Sequence, residues 1–171
     1  MKLEHLGKAR TALIVVTEKN YQKTLLALVK QASKKTLCYV TLNKTHASLI
    51  ELFKKNKIST KNIKFIDGIS HAIRDVESTE DCTYISSPEA ITELSIIVNT
   101  HLKYGFEYLI IDSMTNLLTY TDINTVKKLM KSMIAKINET KTKATIIALV
   151  IPEHNELIKA VSTFVDKVVK I

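Results

Sequence analysis

Residues 15–28 read VVTEKNYQKTLLAL: the end of an apolar run, a short polar stretch, and Lys23-Thr24 at the opening of an apolar helical pattern. A strand followed directly by such a helix is the unit from which parallel α/β sheets are built. The phosphate-binding loop G-x-x-x-x-G-K-[ST] lies at this same position between a strand and a helix. The stretch therefore raises two questions: whether the chain is an α/β protein, and whether this loop binds phosphate.

Apolar runs rich in β-branched residues recur along the chain, with helical patterns between them. Most runs are continuous rather than alternating, as expected for strands that are buried on both faces of a sheet. The predicted strands are 11–16, 36–41, 63–67, 83–86, 108–112, 144–151 and 165–171, and the predicted helices are 20–34, 45–56, 88–104, 122–139 and 153–162. This order predicts a single three-layer α/β domain over residues 1–171, with a mainly parallel sheet and helices on both faces. The last strand could instead be an antiparallel edge strand.

Two of the predicted helices have marked ends. In the third, Ser87 is a suitable N-cap, Pro88 fits the first turn, and Gly105 closes the C-terminal end. The fourth starts near Asp122 and places Val126, together with the apolar residues that follow it, on one face. Core packing is the expected role of that face, including its methionines.

The composition indicates a cytoplasmic protein with one hydrophobic core. A chain of 171 residues, 46% of them hydrophobic, is long enough to bury one core well. Cys38 and Cys82 both lie in runs that resemble strands, TLCYV and CTYI, so we expect small core residues rather than a disulfide or a metal pair. No apolar run approaches the roughly 20 residues needed to cross a bilayer, and the opening MKLEHLGKAR lacks the apolar stretch of a signal peptide. We therefore expect no membrane partner.

The net charge of +8 is concentrated near the N-terminus. Residues 1–57 contain 12 Lys and Arg against 3 Asp and Glu. A basic segment of this kind can attract nucleic acid or another anionic partner. Lysine-rich segments more commonly serve only as solubilising surface, so both interpretations of residues 1–57 stay open.

The loop matches the phosphate-loop pattern only in part. Laid on residues 17–24, the pattern meets TEKNYQKT, so Lys23 and Thr24 match while Thr17 and Gln22 occupy the glycine positions. The glycines normally let successive backbone N–H groups surround the phosphates, and a Cβ at both positions obstructs this. Glu18 adds a negative charge that would repel phosphate. We predict a tight or collapsed connection here, followed by a normally packed helix.

A second candidate feature is YLIIDSMTNLLTY, residues 108–120, an apolar strand that ends in Asp112. An aspartate at such a strand end can hold the water shell of a magnesium ion in nucleotide-hydrolysing enzymes. A turn or helix cap is the ordinary alternative for Asp112.

Several segments in this order resemble the RecA-like ATPase domains of the archaeal KaiC-type family. The resemblance covers nearly the whole chain after residue 10, and its most specific elements are SSPEAITELSI, IDSMTNLLTY and FVDKVVKI. It implies a RecA-like three-layer fold. The family's phosphate-loop lysine and hydroxyl residue match Lys23 and Thr24, and its metal-strand aspartate matches Asp112, followed by Ser113.

Other residues that the family's pattern requires are absent from this chain. Active members carry acidic residues just after the second strand, where a glutamate activates water, whereas this chain has Asn43 and Lys44 there. Neither side chain can act as that general base. The loop therefore resembles a phosphate loop that has lost its binding and hydrolytic features, and Thr17, Lys23, Thr24, Asp112 and Ser113 are at most a vestigial nucleotide site.

Other chemistry finds little support in the sequence. The five histidines have no paired ligand spacing and none lies near a cysteine at a zinc-site interval, so no metal is expected. Ser86, Ser87 and Ser113 lack a G-x-S-x-G context. Asp67-Gly68 could orient a ligand, and a simple turn explains the pair equally well.

Three functions from different classes remain. The first is a non-catalytic RecA/KaiC-like module, without cofactor, that regulates or assembles through contacts with a protein partner or with its own copies. The second keeps ATP and Mg²⁺ binding with little or no hydrolysis, through Lys23 and the helix N-terminus. The third is an accessory protein that binds nucleic acid through residues 1–57.

Overall fold

Seven strands form one sheet in the structure, a computed structural model that describes residues 7–171. The strands are β1 (Thr11–Val16), β2 (Leu37–Thr41), β3 (Ile63–Asp67), β4 (Cys82–Tyr84), β5 (Tyr108–Asp112), β6 (Lys143–Leu149) and β7 (Lys167–Lys170). Their order is β4-β3-β2-β5-β6-β1-β7, and every adjacent pair is parallel. The parallel sheet predicted from the continuous apolar runs is confirmed.

The antiparallel alternative for the last strand is wrong. β7 runs parallel to β1, with Ala12 opposite Lys167 and Val15 opposite Lys170. The chain returns to the starting edge of the sheet through a helix before β7 begins, and such a crossover makes the next strand parallel.

Within residues 7–171, five α-helices cover the two faces of the sheet. They are α1 (Glu18–Ala32), α2 (His46–Lys55), α3 (Ile91–Leu102), α4 (Ile123–Asn138) and α5 (Asn155–Ser162). The buried residues of α1 and α2 join one core cluster, and those of α3, α4 and α5 join the other. The three-layer architecture follows, with helices on both faces as predicted.

The strands supply residues to both clusters. Every residue of β1 and of β2 is buried, and successive residues alternate between the two clusters: Leu13 packs with α4, whereas Ile14 packs with α1. The apolar stripe of α4 is also buried as predicted, and it comprises Val126, Leu129, Met130, Met133, Ile134 and Ile137. Continuous apolar strands are thus explained by burial on both faces.

The helix boundaries agree with the sequence at some ends and not at others. Asp122 caps α4, since its Oδ1 accepts hydrogen bonds from the N–H groups of Asn124 (2.9 Å) and Thr125 (3.0 Å). Gly105, at φ 76°, follows α3 in the left-handed conformation that glycine tolerates. The predicted start of α3 at Ser87-Pro88 is wrong. The Ser87 carbonyl instead accepts from the Ala90 N–H (3.0 Å) in a preceding turn, and the helix begins at Ile91.

Cys38 and Cys82 are both free and buried in strands, as expected. Burial raises the pKa of each thiol to about 12, so neither is a reactive thiolate at neutral pH. Within residues 7–171, none of the helices combines the length and the apolar character needed to span a membrane.

Candidate functional site

The candidate site lies where three neighbouring strands end. Thr41, the last residue of β2, is paired with Asp67 at the end of β3 on one side and with Asp112 at the end of β5 on the other. The carboxyl ends of parallel strands are the usual location of ligand sites in α/β sheets. Both aspartates are fully buried, so each needs a specific explanation.

Two tyrosine hydroxyls hold the carboxyl group of Asp112. Tyr21, in the first turns of α1, donates to Asp112 Oδ2 at 2.7 Å, and Tyr39 of β2 donates to the same oxygen at 2.5 Å. The other oxygen, Oδ1, has no hydrogen-bond partner among residues 7–171. The carboxyl group is thus tied to α1 and β2 through one oxygen.

The surroundings shift the pKa values of all three groups upward. Burial raises the pKa of Asp112 above its ordinary value, although hydrogen bonds from Tyr21 and Tyr39 and the charge of Lys44 oppose this. Burial, with the charge of Asp112 second, also raises the pKa of Tyr21 and of Tyr39. Both tyrosines are therefore protonated donors at neutral pH.

A chain of amide and hydroxyl groups continues from Tyr21. The Asn43 amide donates to the Tyr21 hydroxyl (2.9 Å), and the Asn116 amide donates to Asn43 Oδ1 (2.9 Å). Ser113 Oγ in turn donates to Asn116 Oδ1 at 2.8 Å. These bonds link α1, the loop after β2 and the segment after β5 into one closed polar network.

The residues predicted from the phosphate-loop pattern lie in different places. Thr17 is the single residue between β1 and α1, so the short connection predicted there is present. The helix starts at Glu18 rather than at the predicted residue 20, because the chain enters it directly from the strand. Lys23 is consequently in the second turn of α1 with its side chain exposed, and Thr24 is buried on the same helix.

Of the five predicted site residues, the structure brings Asp112 and Ser113 into the polar network. Lys23 lies two positions beyond Tyr21 on α1, on the solvent side of the helix. The sequence reasoning did not identify Tyr21 and Tyr39 as the partners of Asp112. Tyr39, in an apolar strand paired with β5, was the available signal, because a buried hydroxyl needs a partner. Tyr21 lies in a polar stretch and gave no such signal.

Asp67 is held in a different way. Its Oδ1 accepts the N–H groups of Ile69 (2.7 Å) and Ser70 (2.9 Å), and its Oδ2 accepts the His46 N–H and the Ser70 hydroxyl, both at 2.6 Å. Both oxygens are therefore occupied by donors from the following turn and from the start of α2. This geometry favours the turn role over the ligand role that the sequence left open.

His46, the first residue of α2, lies beside this turn. Its Nδ1 lies 3.2 Å from the Tyr84 hydroxyl, whereas its buried Nε2 has no partner among the described residues. Burial lowers the pKa of His46, which favours the neutral ring. Across residues 7–171, no group of three or more His, Cys, Asp or Glu side chains is arranged to hold a metal ion.

Comparison with known proteins gives a match in structure and none in sequence. No family model matches the chain, and no curated protein matches it in sequence. A solved structure of a KaiC-like protein from the hyperthermophilic archaeon Pyrococcus horikoshii OT3 superimposes with a TM-score of 0.64, covering 94% of this chain and 70% of that chain. The fold is KaiC-like. At 12% identity the likeness establishes this KaiC-like fold and nothing about activity.

Proposed function

We propose that this KaiC-like domain does not hydrolyse ATP and works as a regulatory or assembly module through protein contacts. The observation that carries the proposal is the capture of the Asp112 carboxyl group by the hydroxyls of Tyr21 and Tyr39.

The resemblance to KaiC-type ATPases equates Asp112 with the aspartate that holds the metal's water shell. That role requires an ionised carboxylate with free oxygens. Here the two hydroxyls occupy Oδ2, and burial raises the pKa of Asp112, which favours the neutral acid. A magnesium nucleotide does not fit this donor set unless Tyr21 moves away.

The connection between β1 and α1 supports the same proposal. A phosphate loop presents several consecutive N–H groups around the anion before its helix begins. Here α1 starts one residue after the strand, and the Asn20 N–H already bonds to the Thr17 carbonyl at 3.0 Å. Lys23, which should reach the outer phosphates, projects into solvent from the second turn.

A second, independent argument against hydrolysis comes from the residue that corresponds to the family's water-activating glutamate. Asn43 occupies this position, and its amide and carbonyl oxygen are both engaged, with Tyr21 and Asn116 respectively. An amide has no basic site for a proton from water. Asn43 instead links Tyr21 to Asn116 within the polar network.

The protein-contact role draws on the RecA-like relatives, which assemble through faces of this domain, and on exposed apolar side chains at the carboxyl end of β6. Val150 and Ile151 follow β6 with 40% and 43% of their surfaces exposed. Adjacent exposed apolar groups are typical of interaction sites. Sedimentation of Val150→Ser/Ile151→Ser beside the equally polar control Ile73→Ser/Ile96→Ser tests whether this end supports assembly.

Steady-state ATP hydrolysis with Mg²⁺ is the decisive test of the catalytic part. We expect the wild-type rate to equal that of Lys23→Ala and to stay at the buffer background. Magnesium-dependent turnover that Asp112→Asn abolishes would contradict the proposal.

Nucleotide binding without hydrolysis is the competing function, and calorimetry separates it. A nucleotide present at a hundredfold its dissociation constant stabilises the folded state by about 2.7 kcal/mol. We expect neither heat nor a melting shift with millimolar ATP or ADP and Mg²⁺. A saturable signal that is lost in Lys23→Ala would instead establish a nucleotide-binding protein.

A further inference from the structure

The N-terminal edge of the sheet, opposite the Asp112 site, brings four helix-to-strand connections together. Ile63, Leu37, Tyr108 and Lys143 start β3, β2, β5 and β6 and lie in a single row of the sheet. The segments that lead into these strands are therefore neighbours in space. We call them the lysine edge: residues 30–36, 54–62, 103–107 and 136–143.

The lysine edge accounts for the whole net positive charge of the protein. It contains eleven lysines and two glutamates, a balance of +9, whereas the full chain has +8. The remaining residues therefore balance at −1. The connections at the opposite edge (17–20, 42–46, 68–72, 85–90, 112–122 and 150–155) contain two lysines and five acids, a balance of −3. The charge is thus polarised from one end of the strands to the other.

The two glutamates of the edge are already neutralised. Glu107 pairs with Lys35 at 2.7 Å, and Glu139 pairs with Lys136 at 3.0 Å. The other nine lysines are exposed and form no ion pair with any residue of 7–171: Lys30, Lys34, Lys54, Lys55, Lys57, Lys61, Lys103, Lys141 and Lys143. This many uncompensated charges of one sign create a field that attracts a polyanion.

Helix dipoles explain only part of this pattern. Lysines in the last turn of a helix are stabilised by its negative end, which accounts for Lys30, Lys54 and Lys55. Lys61 and Lys143 lie directly beside or at the start of strands, outside any helix. The helix dipole therefore does not account for their placement.

An aromatic side chain and two clefts lie among these lysines. Tyr104 is 74% exposed, next to Lys103. A cleft of about 410 Å³ is lined by Lys35, Gly105, Phe106, Glu107, Tyr108, Lys141 and Lys143. A second, of about 390 Å³, is lined by Asn99, Leu102, Lys103, Lys136, Glu139 and Thr140, and the buried Oδ1 of Asn99 has no partner among the described residues.

We propose that the lysine edge binds single-stranded nucleic acid, with backbone phosphates on Lys57, Lys61, Lys141 and Lys143 and a base stacked on Tyr104. Lysines that follow a line and an exposed aromatic ring are the combination that single strands use. No helix or hairpin projects from the described part of this edge to enter a duplex groove. The proposal goes beyond the protein-contact function and does not depend on it.

This surface differs from the basic segment 1–57 that the sequence indicated. Residues 1–6 lie outside the described residues, Lys19 and Lys23 lie toward the other end of α1, and Lys44 is half-buried near Asp112. Lys103, Lys141 and Lys143, which come much later in the chain, complete the edge.

The test compares two variants of equal net charge, +4 by formal count. The edge variant is Lys57→Gln/Lys61→Gln/Lys141→Gln/Lys143→Gln, and the control is Lys19→Gln/Lys128→Gln/Lys159→Gln/Lys170→Gln. All eight lysines are exposed, so both variants should fold, which circular dichroism checks. The probe is a fluorescent oligothymidylate, with affinity measured by anisotropy over a series of salt concentrations.

We expect the edge variant to bind about tenfold or more weakly than wild type and the control to stay within about twofold. The wild-type plot of log affinity against log salt should have a slope near −2.8 for four contacts, at about 0.7 for each single-strand phosphate. Tyr104→Ala should weaken binding about fivefold through lost stacking.

Three results would overturn the proposal. The first is absence of wild-type binding at low salt, and the second is equal weakening of both variants, which would mean that only net charge matters. The third is competition by polyglutamate as effective as that by unlabelled oligonucleotide, which would indicate an acidic protein segment as the partner.

Discussion

Asp67 and Asp112 end two strands of one sheet, flank the same residue, Thr41, and are both fully buried, yet they are held in opposite ways. Asp67 uses both oxygens to accept four hydrogen bonds, three of them from backbone N–H groups. Asp112 accepts two side-chain hydroxyls on one oxygen and leaves the other without a partner.

Asp67 therefore stabilises a local turn, whereas Asp112 is held by tertiary contacts. Backbone donors to Asp67 come from the residues that immediately follow it and from the start of α2, so its carboxyl group is part of the local fold. The donors to Asp112 are the side-chain hydroxyls of Tyr21 on α1 and Tyr39 on β2, and neither residue belongs to the turn after β5. The same substitution should therefore have very different effects at the two positions.

The largest effect is expected at Asp67. Asp67→Asn replaces one acceptor oxygen by an NH₂ group, which faces buried donors that then lack a partner. Each unsatisfied buried group costs about 1–3 kcal/mol, so the free energy of unfolding should fall by about 2–4 kcal/mol. Urea denaturation measures this, with the exposed Asp75→Asn as the control. A loss below that of the control would contradict the turn role.

The tyrosine hydroxyls come next. Tyr21→Phe and Tyr39→Phe each remove one donor to Asp112, and the first also removes the acceptor of the Asn43 amide. A buried polar group that loses its hydrogen-bond partner costs about 1–3 kcal/mol, so we expect a loss of that size in each variant. Tyr104→Phe, at an exposed position, should be neutral in the same denaturation experiment. Equal stability of all three variants would mean that the hydroxyls do not restrain Asp112.

Restoring the glycines should have a smaller effect. In Thr17→Gly/Gln22→Gly the cost falls mainly on Gln22, which lies in the second turn of α1, where glycine costs about 1 kcal/mol relative to alanine. The matched control, Thr17→Ala/Gln22→Ala, should be more stable by about that amount. Neither variant should melt at a higher temperature when ATP and Mg²⁺ are added. A nucleotide-dependent rise in the glycine variant alone would show that the two side chains, rather than Tyr21, block the site.

The smallest effect is expected for Asp112→Asn, and it should depend on pH. Because burial raises the folded-state pKa of Asp112, the folded state binds this proton more tightly than the unfolded chain does. That contribution to stability is present at low pH and is lost as the pH rises through the folded-state pKa. The asparagine variant should therefore gain on the wild type as the pH rises, by about 1.4 kcal/mol for each unit of pKa difference. Denaturation of both proteins at several pH values measures this. A wild type that gains stability relative to the asparagine variant as the pH rises would reverse the assigned direction.

The fold was predictable because it rests on features that a single sequence displays. Continuous apolar strands such as TALIVV, separated by stretches of helix length, leave a three-layer parallel sheet as the natural arrangement. Helix ends followed from capping where the side chain makes the bond itself, as at Asp122, and failed at Ser87, where a backbone turn precedes the helix.

The site was predictable only in part, since its decisive contacts are between distant residues. Asp112 was identified from its place at a strand end. Tyr39 and Tyr21 lie 73 and 91 positions before it, and no local pattern connects them with that carboxyl group. The lysine edge was not predictable for the same reason. The sequence shows where lysines lie along the chain, but only the order of the strands shows that Lys61 and Lys143 lie at one edge of the sheet.

The position of β1 between β6 and β7 also constrains how the protein can be made. β1 is completed at Val16, but its first neighbour in the sheet does not emerge until Leu149 has been synthesised. During translation, the apolar segment TALIVV therefore has no strand to pair with while most of the chain is produced, and unpaired apolar strands promote aggregation. β2, β3 and β5 can associate earlier, so the sheet should grow from its middle on the ribosome and close around β1 only near the end of synthesis.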